Sequence, residues 1–165
     1  MGVVSRVLAS SRVLRLALNL YPPYLGAGVR VTRLDRDLRG IRVELPLRWF
    51  NRNYVGTQFG GSLYSMTDPF LMLMLLRNLG SDYVVWDKAA RIEFVRPGKG
   101  RVHAEFSLAA ERLAEIRATA DRERRALPEF EVVVRDEDGE PVARVHKTLY
   151  VRRKRPSGAP AAVCD

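Results

Sequence analysis

The segment Asn53-Tyr54-Val55-Gly56-Thr57-Gln58-Phe59-Gly60-Gly61-Ser62-Leu63-Tyr64-Ser65-Met66-Thr67-Asp68 gathers the residues best able to do chemistry. Gly60 and Gly61 stand where a polar loop gives way to a helical, apolar pattern. Having no side chains, they let the backbone come close to a ligand. The first N–H groups of a helix lack partners within it and favour negative charge. Such amides can hold an anion or polarise a carbonyl oxygen as charge develops on it. Asp68 follows on an otherwise apolar stretch. A carboxylate there needs a cleft, a hydrogen-bond partner or a raised pKa, which are the surroundings of a general base or nucleophile. Pro69 gives Asp68 a plainer role, because proline suits the first position of a helix and aspartate its N-cap. One oxygen can cap while the other faces a cleft. Gly60-Gly61 taken alone is also what an ordinary loop-to-helix turn requires.

Few other side chains compete for a reactive role. His103 and His146 fall on the polar phase of strand patterns and read as surface histidines. Two histidines and a single cysteine, Cys164, exclude a disulfide framework and a metal site built from several thiolates or imidazoles. We expect no metal. One unpaired cysteine fits a reducing, cytoplasmic setting. Lys and Arg outnumber Asp and Glu by 28 to 19, so the surface attracts polyanions: nucleic acid, anionic lipid or a phosphate-rich small molecule. The basic residues are scattered except for Arg152-Arg153-Lys154-Arg155. With no clustered basic helix and no aromatic-basic strand motif, nucleic-acid binding is the weakest reading.

The elements that position this segment follow from periodicity. Val3 to Asn19 is helical, with Val7, Leu14 and Leu18 on one face, and Tyr21-Pro22-Pro23 stops it. Its arginines and lack of acid give it the look of an interfacial or transit helix, but docking on the domain is the simpler reading. Val29 to Leu34 and Ile41 to Leu47 alternate as strands. Ser62 to Leu79 reads as one long helix, apolar on almost every side and therefore buried on every side. Ile92 and Phe94 belong to a strand ending at the Pro97-Gly98-Lys99-Gly100 turn, and Val102 to Leu108 form the next. Ala109 to Ala126 is a charged helix with Leu113, Ile116 and Ala120 on one face. Phe130 to Val134 and Val142 to Val151 are joined by an Asp138-Gly139 hairpin. The expected fold is α+β: about six antiparallel strands curled round one long helix, in a single domain over 1–155, with a disordered tail over 156–165. No apolar run approaches the length of a membrane span.

Asn53, then Gly60-Gly61, then Asp68 resembles the motif of hotdog-fold acyl-CoA thioesterases of the phenylacetate-pathway type, Asn-x5-His-Gly-Gly-x6-Asp. Phe94-Val95-Arg96-Pro97 looks like the aromatic-x-Arg-Pro turn of the same proteins. More specifically, Pro22-Pro23 through Gly28-Val29-Arg30-Val31, Gly60-Gly61-Ser62-Leu63-Tyr64, Asp68-Pro69 and Asp87-Lys88 resemble the uncharacterised hotdog branch catalogued as domain of unknown function 4442. The resemblance covers about Leu14 to Arg153.

The resemblance implies a hotdog fold with Asp68 as general base or nucleophile and the Gly61 and Gly60 amides as oxyanion hole. It makes Asn53 the group that positions water or carbonyl, with Gln58, Phe59 and Asp87 beside the substrate. It also implies an acyl-CoA or acyl-carrier-protein thioester as substrate, a homodimer or tetramer, and no cofactor beyond coenzyme A itself. Arg91, Arg96, Lys99 and the Arg152 to Arg155 run are the expected contacts for the phosphates. Two departures stand out. Phe59 occupies the motif's histidine position and cannot donate a hydrogen bond, which favours an alternative role as a non-catalytic acyl-CoA binder. The helix after Phe106 is also an addition to the pattern.

Overall fold

The computed structural model describes residues 10–154. The expected N-terminal helix is thus seen from Ser11 only. Its first part, over 3–9, and the expected tail over 156–165 lie outside the described residues. In chain order the elements are α1 (Ser11–Asn19), α2 (Pro22–Ala27), β1 (Arg30–Leu34), β2 (Gly40–Leu45), α3 (Gly60–Ser65), α4 (Phe70–Leu79), β3 (Tyr83–Phe94), β4 (Val102–Ser107), α5 (Ala110–Arg122), β5 (Glu129–Asp136) and β6 (Pro141–Arg153).

All six strands form one antiparallel sheet in the order β1-β2-β4-β5-β6-β3. Strand alternation sets its inner face. Ile41, Val43 and Leu45 of β2 are fully buried, while Arg42 between them pairs with Glu44 and with Glu105 on β4. On β6 the inner row is Ala143, Val145, Lys147, Leu149 and Val151. Helix α4 lies against this face, burying Phe70, Leu71, Met74, Leu75 and Leu79, with the Phe70 ring 5.1 Å from that of Phe106.

Four features differ from the sequence reading. The long helix is two helices, α3 and α4, with Met66 to Pro69 between them. Proline has no N–H to continue a helix and disfavours helical backbone at the residue before it. Buried Thr67 also turns its hydroxyl back to donate to the Tyr64 carbonyl, 2.7 Å away. The Tyr21-Pro22-Pro23 stop ends α1 but also starts α2, with Pro22 in the first turn and Gly28 closing it at φ +81°. Strand β3 begins at Tyr83, well before Ile92, because a bulge between Asp87 and Ala89 shifts its alternation midway. The charged helix is shorter than Ala109 to Ala126. It ends at Arg122, and Ala126 instead pairs with Val151 beside the sheet.

Helix α1 docks as its apolar face requires, with Leu14 and Leu18 buried. Asn19 fastens it to β1 through the Val31 amide and carbonyl, at 2.9 and 3.1 Å.

Candidate active site

The break between α3 and α4 brings Asp68 to a lysine on the sheet. Lys147 is 1% exposed, yet its Nζ lies 2.7 Å from Asp68 Oδ1 and 3.0 Å from Asp87 Oδ1. Topology explains the meeting. On adjacent strands Asp87 faces Leu149 and Lys147 faces Ala90, so acid and lysine are diagonal neighbours on the inner face. The Asp68 carbonyl accepts a hydrogen bond from the buried Tyr24 hydroxyl of α2, which fixes the backbone of the break. The Tyr64 ring stands 5.8 Å from the ammonium.

A buried ammonium without partners is strongly unfavourable, so the two carboxylates are what allow Lys147 to sit there. Burial works to lower the Lys147 pKa. The hydrogen bond to Asp68 and the negative charges of Asp68 and Asp87 together outweigh it and hold the group charged, above the usual lysine value. Burial pushes Asp87 up, opposed by Lys147 and reinforced by the neighbouring Asp68. The Asp87 contact is an ion pair without a well-directed hydrogen bond. The ammonium occupies the place a cation would take between two carboxylates. Among the described residues no cluster of three His, Cys, Asp or Glu side chains is placed to hold a metal.

Asp68 does not cap α4. Pro69 is the residue before the helix, and no side chain caps it. The Asp68 side chain is 41% exposed with Oδ1 on Lys147, which leaves the other oxygen open to a substrate or water. Burial, then the negative charge of Asp68, push the Tyr24 hydroxyl far above the ordinary phenol range, so it serves as a neutral donor.

The remaining candidates divide by what holds them. Gly60 and Gly61 open α3, and the first backbone bond into the helix is from Leu63 to the Phe59 carbonyl, at 3.0 Å. Their amides therefore precede the helical ladder. Phe59 and Phe94 wall them: a Cβ on Gly60 would lie 2.9 Å from Phe94 Cζ, and one on Gly61 2.5 Å from Phe59 Cε1. The Asn53 side chain is committed to its own loop. It donates to Thr57 Oγ1 at 2.8 Å and accepts from the amides of Val55 and Thr57. Gln58 is buried and donates to the carbonyls of Leu45 and Gly100, tying β2 to the Pro97–Gly100 turn. Asn53, Gln58, Gly60 and Arg96 line one hollow of about 390 Å³.

Of the expected phosphate contacts, Arg91 pairs with Glu93 at 2.6 Å and Arg96 with Asp136. Arg153 pairs with Asp121 at 3.4 Å, while Lys99 is exposed. His103 is pushed below the usual histidine range by burial and then by Arg42. His146 stands 3.8 Å from Glu131 on the outer face. Lys147 is the member of the site that sequence reasoning missed. Its signal was phase: it falls in step with Ala143, Val145, Leu149 and Val151, where a lysine on a wet face would fall out of step.

Comparisons with known proteins agree with this architecture. A protein of unknown function and probable thioesterase from Pseudomonas aeruginosa superposes with a TM-score of 0.77 at 24% identity, over 86% of this chain and 95% of that one. A protein of unknown function from Chlorobaculum tepidum gives 0.67 at 17% identity, over 92% and 95%. A thioesterase from Haemophilus influenzae gives 0.64 at 14% identity, over 91% and 95%. No curated protein matches the chain. The likeness to these structures establishes a hotdog fold. The family model of a domain of unknown function, DUF4442, matches residues 9–151, and the chain therefore belongs to the DUF4442 family.

Proposed function

We propose that the protein hydrolyses an acyl thioester carried by coenzyme A or an acyl carrier protein, with Asp68 as its general base. The carrying observation is the Asp68 carboxylate, exposed at a helix break and clamped through one oxygen by the buried ammonium of Lys147. The clamp fixes the direction of the second oxygen, and a fixed group contributes by orientation as well as basicity. In this scheme the open oxygen takes a proton from water as that water attacks the thioester carbonyl. The amides of Gly61 and Gly60 meet the oxygen that becomes negative. The C–S bond then breaks, and the proton held by Asp68 passes to the departing thiolate, giving a carboxylic acid and a free thiol. Because the resemblance implies a site shared across a dimer interface, we further propose that the working unit is a homodimer.

Two observations favour a second reading, acyl-thioester binding without hydrolysis. Phe59 offers no hydrogen bond, and the Asn53 amide is fully engaged in its loop. Assays over acyl-CoA chain lengths, run beside binding calorimetry, separate the two. Hydrolysis predicts turnover by wild type and a loss of at least about a hundredfold in Asp68→Asn, the range typical of a removed general base. Binding with no turnover on any chain length leaves the second reading.

A further inference from the structure

A second set of residues shares a hollow with the start of α3. The loop after β2 carries Arg48, Trp49 and Phe50 on the surface, with Trp49 82% exposed and its ring edge-on to Phe50. This exposed turn is held by a buried staple. Asn51 is 4% exposed; it donates to the carbonyls of Ala27 and Pro46 at 3.0 and 2.9 Å and accepts from the Arg48 amide at 2.6 Å. Gly28 makes room for that staple, since a Cβ there would lie 2.4 Å from Asn51 Nδ2. A buried polar side chain with three hydrogen bonds thus fixes the position of two large aromatic rings that do not themselves pack in the core.

The rings border two hollows that meet at Phe50. One, of about 590 Å³, is lined by Leu25, Arg30, Arg48, Trp49 and Phe50. The other, of about 510 Å³, runs past Arg52 and Phe59 to Gly61 and Ser62. Neither lining contains a carboxylate. Among the described residues Arg30, Arg48 and Arg52 have no acidic partner, whereas Arg91, Arg96 and Arg153 each have one. Unpaired guanidiniums around an aromatic shelf suit an aromatic base bearing phosphates: the forks take phosphate oxygens and the rings take the base.

We infer that this groove binds the adenosine-phosphate end of coenzyme A, with phosphates on Arg30 and Arg48 and the adenine against Trp49, the remainder of the carrier running past Arg52 to the Gly60-Gly61 amides. The inference rests on the thioester reading and names its carrier: a coenzyme A thioester rather than one on a carrier protein. It also moves the phosphate contacts away from Arg91 and Arg96, whose guanidiniums are already paired.

Calorimetry with free coenzyme A and with pantetheine tests it, on wild type, Arg30→Ala/Arg48→Ala and Trp49→Ala. Wild type is expected to prefer coenzyme A by at least about tenfold, and either variant to remove most of that preference. The matching kinetic readout is kcat/KM for an acyl-CoA divided by that for the acyl-N-acetylcysteamine thioester, which falls by the same factor. A preference unchanged in both variants overturns the groove while leaving hydrolysis standing. Loss of the preference in a protein that turns over no thioester sinks hydrolysis and keeps the groove. If Trp49→Ala instead converts a sedimenting oligomer to a monomer, the shelf is an interface between copies and the assignment is wrong.

Discussion

Asp68, Lys147 and Asp87 form a chain of alternating charge in which each removal has its own sign. Asp68→Asn keeps the shape and an acceptor for Lys147 but deletes one of two countercharges on a buried ammonium. Because the Asp68 side chain is 41% exposed, water makes up part of the loss, and we expect a cost of about 1–2 kcal/mol in urea unfolding. A cap-only role would have predicted almost none, since asparagine caps as well as aspartate. Lys147→Met is more severe, because it leaves two carboxylates facing each other without a cation. Burial already pushes Asp87 up, and the variant removes the cation that opposes this shift, so the folded form binds that proton first and stability grows as pH falls. Lys147→Met is therefore expected to lie closer to wild type at pH 5 than at pH 8, as read from denaturant midpoints at the two pH values. A gap that widens on acidification would show that the lysine is not the partner of these acids. In wild type the Lys147 pKa is raised, so its contribution is fully present at neutral pH and is lost only on the alkaline side, as pH climbs through the folded value.

At the scale of elements, alternation and turn chemistry made the strands, the late helix and the Asp138-Gly139 hairpin legible in the sequence. What stayed hidden depended on partners far along the chain. Pro69 left a capping role open for Asp68 beside the catalytic one, and only Lys147, 79 residues away, shows where the carboxylate points. Lys147 itself sat in plain alternation, but burial of a lysine is unexpected until two acids are known to meet it. Strand β3 was half legible because the bulge after Asp87 breaks the period, and the same bulge separates inward-facing Asp87 from the exposed Ala89-Ala90 stretch. The link between α2 and the loop after β2 was equally invisible, although it depends on one glycine. Gly28→Ala is predicted to destabilise the fold by about 2 kcal/mol. It places a side chain at φ +81° and drives a Cβ into Asn51, whose three hydrogen bonds are then disturbed. Asn51→Ala should show a comparable loss and combine with Gly28→Ala at well under the sum, because both act on one contact. Additive losses in urea titrations would mean that the two residues act separately.

At the scale of the whole molecule the two edges of the sheet are managed differently. Edge strand β1 is five residues long and lies under α1, with Arg15 donating to the Thr32 carbonyl at 3.1 Å and Asn19 bonded to Val31. Edge strand β3 is 12 residues long, pairs with β6 on one side, and has no partner strand among the described residues on the other. Its middle, Lys88-Ala89-Ala90-Arg91, is exposed, and the alanines put little bulk in the way of another strand. A long, open edge is a template for further pairing, and natural proteins usually break such an edge or cover it. The simplest cover is the same strand of a second copy running antiparallel, which is a closed two-fold contact and does not propagate. Such a pairing would also bring the Asp87 strands of two copies side by side, next to each Asp68–Lys147 pair. We therefore predict a dimer in sedimentation at micromolar concentration. Replacing Ala89 and Ala90 together with lysine should shift it toward monomer, since charged lysines on an edge oppose pairing with a like copy. The substitution touches exposed positions, so the thermal transition should survive in the monomer even as turnover falls with the lost partner. A wild type that sediments as a monomer at all concentrations, or a lysine variant that stays dimeric, would show that the β3 edge is not where two copies meet.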